Sequence, residues 1–226
     1  MLLASGLLVV GAVVVAFAGT RVVLAGFTDA TDVETTTFAT GTWASETIWY
    51  LHNNPTPPTA DTAAQFNLAV DDTAPTAATL RNYDTDCDSR GGRSLVRGTG
   101  LVSEAGACRY ATWRSAPLVG ARTLDGAATL TVWARKTVSG GTATLRAFLR
   151  VVDPSTSTYV ELGTANVTVT RNANQAWAGH TLTWSLAGVT IPAGRRIELK
   201  LVATDGTRDL EVAYDTGAQA SALTIP

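Results

Sequence analysis

After Arg109 the chain alternates apolar and polar residues with a period of two, the spacing that lays one face of a β-strand on a core and turns the other outward. In Gly126 to Lys136, Leu130, Val132 and Ala134 share one face, while Thr129, Thr131, Trp133 and Arg135 share the other. In Thr142 to Val152, Leu145, Ala147, Leu149 and Val151 oppose Arg146, Phe148 and Arg150, and the intervening Ser139-Gly140-Gly141 predicts a hairpin turn. Thr158 to Thr170 offers two strand lengths around Gly163, with Val167 and Val169 on one face. Leu182, Trp184 and Leu186 then alternate with Thr181, Thr183 and Ser185. Beyond the Pro192-Ala193-Gly194 turn, Ile197, Leu199, Leu201 and Ala203 oppose Arg196, Glu198 and Lys200, which predicts one core face and one solvent face. Asp209 to Asp215 and Ala220 to Ile225 complete the series.

Upstream the same reading gives fewer strands. Glu46 to His52 is dense in β-branched and aromatic residues and stops at Asn53-Asn54-Pro55-Thr56-Pro57-Pro58. Ala69 to Ala78 reads as a connection, Ala78 to Tyr83 as a short strand, and Arg109 to Leu118 as another strand. About ten short strands at this spacing predict an all-β fold, an antiparallel β-sandwich of jelly-roll type.

The N-terminus follows a different pattern. Leu2 to Gly19 is an unbroken uncharged run, and at about 1.5 Å per helical residue it nearly spans a hydrocarbon core of roughly 30 Å. Small-residue cleavage signatures stand at Ala16-Phe17-Ala18 and Val23-Leu24-Ala25, although no Lys or Arg precedes Arg21. The chain therefore divides into a signal or membrane-anchor segment (residues 1–25), an extended segment (26–45) and a sandwich domain (46–226), with the domain placed outside the membrane.

This apolar run, followed by Ala25-Gly26-Phe27-Thr28-Asp29 and then Thr37-Phe38-Ala39-Thr40-Gly41-Thr42-Trp43, resembles the N-terminus of camelysin and TasA-like biofilm-fibre proteins. The resemblance covers about 43 residues. It implies export, cleavage by a dedicated archaeal/ER-type signal peptidase near Gly26 or Phe27, and a role as a cell-surface or extracellular structural subunit. Some camelysin relatives carry a metallopeptidase label, which does not transfer because the chain has no histidine pair at zinc-ligand spacing. Over roughly residues 80 to 226 the strand order looks like jelly-roll sandwiches of the galactose-binding and carbohydrate-binding-module type. That likeness implies a glycan-binding or adhesive module as the alternative function.

Composition narrows these classes. Removing residues 1–25 takes Arg21 with it and moves the formal charge from −2 to −3, so no basic excess points to nucleic acid or to an anionic membrane surface. Cys87 and Cys108 are the two cysteines, and an even pair in an exported chain predicts a disulfide, worth about 3 kcal/mol for a loop of this size in the chain-entropy model.

Three clusters carry candidate chemistry. Asp84, Asp86 and Asp88 alternate before Gly91-Gly92 and could turn their carboxylates toward one Ca²⁺, but the EF-hand positions of the glycine and the twelfth acidic ligand are absent. A structural Ca²⁺ site with Asp215 as a distant ligand, and a solvated Asp-rich turn, both stay open. No cofactor is otherwise required. His52 and His180 are the two histidines, each at a strand end, and no HExxH, GxSxG or CxxC motif occurs, so the chain reads as non-catalytic. Trp133 and Phe148 fall on the polar phase of the expected hairpin, where they are either a sugar-stacking pair or packing residues, with Trp133 opposite Arg146. Trp49, Trp113 and Trp184 read as core. Phe27 and Phe38 mark an N-terminal strand suited to self-assembly by β-augmentation, or to pairing within its own domain.

Overall fold

The computed structural model describes residues 46–52, 65–70, 74–78, 80, 93–95, 110–172, 174–206 and 208–226, with 65–70, 93–95 and 205–206 described by their backbone. The chain divides into two compact units, Met1–Thr42 and Trp43–Pro226, and every described residue belongs to the second. The apolar N-terminal run, Phe27, Phe38, Asp84, Asp86, Asp88, Cys87 and Cys108 lie outside the described residues. Among the described residues no helix is long and apolar enough to cross a membrane.

Eleven strands are described. They are β1 (Thr47–His52), β2 (Gln65–Val70), β3 (Arg93–Leu95), β4 (Tyr110–Arg114), β5 (Arg122–Lys136) and β6 (Ala143–Val152). They continue as β7 (Tyr159–Thr168), β8 (Ala178–Ile191), β9 (Arg196–Gly206), β10 (Leu210–Ala213) and β11 (Ala222–Ile225). The long strand β5 takes β8 on one edge and, on the other, β10 at residues 133–136 and β11 at residues 129–131. The ladder then continues from β11 through β1 and β2 to β4, β9, β6 and β7. All pairs are antiparallel except β2 with β4.

The path folds over on itself, so the protein is a β-sandwich. Trp184 of β8 packs against Gly163 of β7, and Trp113 of β4 meets Tyr214 beyond β10 edge to face at 5.3 Å. Between the layers lie Trp49, Leu51, Leu130, Val132, Leu145, Leu149, Ile197, Leu199, Leu223 and Ile225, all at most 1% exposed. The period-two pattern selects these residues, because alternate positions of every strand face inward. Trp49, Trp113 and Trp184 are core residues, as expected.

Four expectations are corrected. The predicted hairpin does not form: β5 pairs with β8, β10 and β11, whereas β6 pairs with β7 and β9. Ser139-Gly140-Gly141 is instead an arch carrying the chain from one layer to the other, with Gly140 and Gly141 at φ 69° and 63°. A period-two pattern encodes which face is apolar, not which strand is the neighbour, so a hairpin and an arch read alike. Second, β9 has no solvent face, since Glu198 and Lys200 are 3% and 5% exposed. Third, Gln65–Val70 is a strand, and its last two residues, Ala69 and Val70, belong to it rather than to the connection expected from Ala69 to Ala78. Fourth, of the short strand expected over Ala78 to Tyr83, the described residues Ala78 and Leu80 belong to no strand, and the others lie outside the described residues.

Candidate ligand-binding face

Because consecutive strands β5 and β6 lie in opposite layers, their outward residues look away from each other. Trp133 faces outward from one layer and Phe148 from the other, so they cannot form a single sugar platform. Phe148 is 6% exposed, with the Arg150 guanidinium 4.7 Å from its ring centroid, which removes it as a ligand-facing aromatic. Arg146, expected opposite Trp133, pairs with Asn166 and Val202, and its Nε donates to Asn166 Oδ1 at 2.8 Å.

The outer face around Phe148 is a closed ionic lattice. Arg114, Glu198, Arg150 and Glu161 occupy one cross-strand row over β4, β9, β6 and β7, so their charges alternate. Arg114 Nε donates to Glu198 Oε2 at 2.6 Å, and Arg150 lies 3.8 Å from Glu198 and 3.7 Å from Glu161. Arg150 also sits 4.1 Å from the Tyr159 ring centroid, and Lys200 Nζ 4.3 Å from that of Tyr110. With Arg150 at 2% and Glu198 at 3% exposed, these groups neutralise one another within the protein.

The opposite outer face, over β1, β11, β5 and β8, is built differently. Register places Ile48, Thr224, Thr129 and Thr183 in one cross-strand row, and Tyr50, Ala222, Thr131 and Thr181 in the next. Thr131, Thr181 and Thr183 are exposed, and neither row contains a charged side chain. In the following row Trp133 is half-buried beside Gly179, where an added Cβ would stand 3.6–3.7 Å from three atoms of the indole six-membered ring. The ring therefore overhangs the glycine and turns its other side outward. Arg135, two residues on, bonds Glu211 at 2.5 Å and stacks 4.2 Å from the ring centroid of half-buried Trp177. Glu211 is 0% exposed, so a buried carboxylate fixes the arginine that in turn holds Trp177. Trp177 precedes β8 and does not belong to the alternating run, which is why sequence periodicity passes over it.

The two histidines are strand residues with defined surroundings. His52 Nδ1 lies 2.9 Å from Asp215 Oδ1, and Asp215 adopts φ 58°. Asp215 thus meets an imidazole from β1; its expected calcium partners lie outside the described residues. His180 faces inward from β8 opposite Val132, and burial lowers its pKa against a smaller opposing effect of a hydrogen bond with the Ala134 backbone. Among the described residues no three His, Cys, Asp or Glu side chains gather as a metal site would require. A cavity of about 310 Å³ opens between β7 and β8. It is lined by Val151, Val160, Leu162, Val189 and Pro192 and rimmed by the Arg195–Asp153 ion pair.

Neither a protein-family model nor a curated protein matches the chain significantly. Among solved structures it is similar to a CocE/NonD family hydrolase from Staphylococcus aureus, with a TM-score of 0.51 and 12% identity over 80% of this chain and 36% of that one. An aminopeptidase from a marine sediment Thaumarchaeota archaeon aligns at a TM-score of 0.42 and 11% identity, over 53% of this chain and 26% of its own. A CBM4 structure aligns at a TM-score of 0.31 and 9% identity, over 52% and 61%. The chain spans only about a quarter to a third of the length of the two hydrolases. At these identities the first likeness bears on the fold alone, a β-sandwich.

Proposed function

We propose that the sandwich is a non-catalytic module of an exported protein that binds carbohydrate on the β1–β11–β5–β8 face. The observation that carries this reading is the pair of half-buried indoles, Trp133 and Trp177, held beside two rows of threonine hydroxyls. Sugar rings stack on aromatic faces through their apolar C–H surfaces while hydroxyls find donors and acceptors alongside, and this face offers both. Binding isotherms over a panel of glycans should show at least one ligand. Trp133→Ala should then weaken it at least tenfold, about 1.4 kcal/mol, with an unchanged circular dichroism spectrum. Equal affinity of the variant would remove this face from consideration.

A second reading, a structural subunit that polymerises, is favoured by two strand edges. Among the described strands β7 pairs only with β6 and β8 only with β5, and β8 carries no charged residue along its fourteen positions. Natural sheets commonly guard such edges with charges. Here the chain is cleaved before Gly26 or Phe27, and the freed strand bearing Phe38 adds to a neighbour's edge. Mass spectrometry of the exported protein would find that N-terminus, and deletion of residues 27–42 would abolish polymers while leaving a folded domain. A deletion that unfolds the domain assigns the strand to its own core instead.

A further inference from the structure

Resting on the carbohydrate reading, we infer that the ligand is the level surface of an insoluble, uncharged polysaccharide rather than a single dissolved chain. A module that grips one chain needs walls on both sides of it, to bury most of the ligand. The rows have no pair of walls: across β11, β5 and β8 they present Thr224, Thr129 and Thr183, then Ala222, Thr131 and Thr181, with nothing larger than threonine, and the larger Ile48 and Tyr50 stand at the β1 end alone. The cavity between β7 and β8 does not include any of these residues.

Register gives the hydroxyls a lattice. Neighbouring strands stand about 4.8 Å apart and alternate residues about 6.7 Å apart along a strand, so Thr129, Thr131, Thr181 and Thr183 form a two-by-two array. The array continues across β11 and β1, so the face spans about 14 Å over four strands and can meet more than one parallel chain of a solid at once, each through a weak contact that becomes strong by multiplicity. Trp133 fits the same plane. Because its partner across the strands is a glycine, the indole lies over the sheet instead of standing up from it as a wall. The absence of charge from both rows suits a neutral polymer, and Arg135, the nearest cation on β5, is bonded to buried Glu211.

The test compares physical forms of one chemistry. The full-length protein is partitioned against microcrystalline cellulose and crystalline chitin, with soluble cello- and chito-oligosaccharides as competitors. Retention on at least one solid is expected, with little displacement by millimolar oligosaccharide of the matching kind. Thr181→Arg and Thr183→Arg, at exposed positions, should each lower the partition coefficient at least tenfold without changing the melting temperature, whereas Thr181→Val, which keeps the surface level, should lower it by less. Binding to soluble chains as strong as to the solid would overturn the inference and leave the carbohydrate reading standing. Retention unaffected by both arginine variants would overturn it too. Failure to bind any glycan, solid or soluble, would remove both.

Discussion

His180 faces inward on β8, and taking an imidazole out of water disfavours its charged form, so its pKa in the folded state lies below the ordinary 6.5. The sign follows directly. Between the lowered folded value and the unfolded one the unfolded chain binds more protons, so stability is full above about pH 6.5 and declines as pH falls through the folded value. The unfolding free energy of wild type should therefore drop on acidification from pH 7 to 5 more steeply than that of His180→Gln, in paired urea titrations. Identical slopes would mean that the ring titrates as freely as in the unfolded chain. Trp133 and Phe148 teach the complementary lesson. Both stand at polar-phase positions, but Gly179 opens space over one while Arg150 closes the other. Periodicity reports phase; what lies across the strand decides exposure.

At the scale of elements, β9 shows how a charged strand can be buried on both sides. Ile197, Leu199 and Leu201 fill the core, while Glu198 on the other face bridges Arg114 and Arg150. Removing one member of a buried ion pair strands its partner's charge in a medium that solvates it poorly. Glu198→Ala should cost about 3–5 kcal/mol of unfolding free energy, measured by denaturant titration, and the double variant with Arg150→Met should recover part of that loss. A cost below 1 kcal/mol would show that the row behaves as an ordinary surface pair. Strand identities after Arg109 were legible because alternation is strong there: β5, β8 and β9 put the expected residues in the core. Pairing was not. The β5–β6 arch depends on contacts between residues far apart in sequence, and Gly140-Gly141 turns the chain equally well in a hairpin or in an arch. The charged outer face of β9 misled for a related reason, since a row of alternating charges is visible only once β4, β9, β6 and β7 are set side by side.

For the whole molecule, the all-β sandwich followed from composition and period, while the site did not. Trp133 stood out as an aromatic on a polar phase, but the two threonine rows draw on four strands from positions 48 to 224 and only register assembles them. Trp177, outside any alternating run, had no signal beyond its residue type. The central claim, that the β1–β11–β5–β8 face is where a glycan sits, can be read at individual side chains because the chain has six tryptophans whose indole N–H groups report separately. The decisive measurement is a titration of indole-¹⁵N-labelled protein with a glycan it retains, fragmented enough to stay in solution at high concentration, each signal assigned by a Trp→Phe variant. The account predicts that the Trp133 and Trp177 signals shift progressively while those of Trp49, Trp113 and Trp184, buried between the layers, stay in place. Saturable binding that leaves Trp133 and Trp177 unmoved would contradict it.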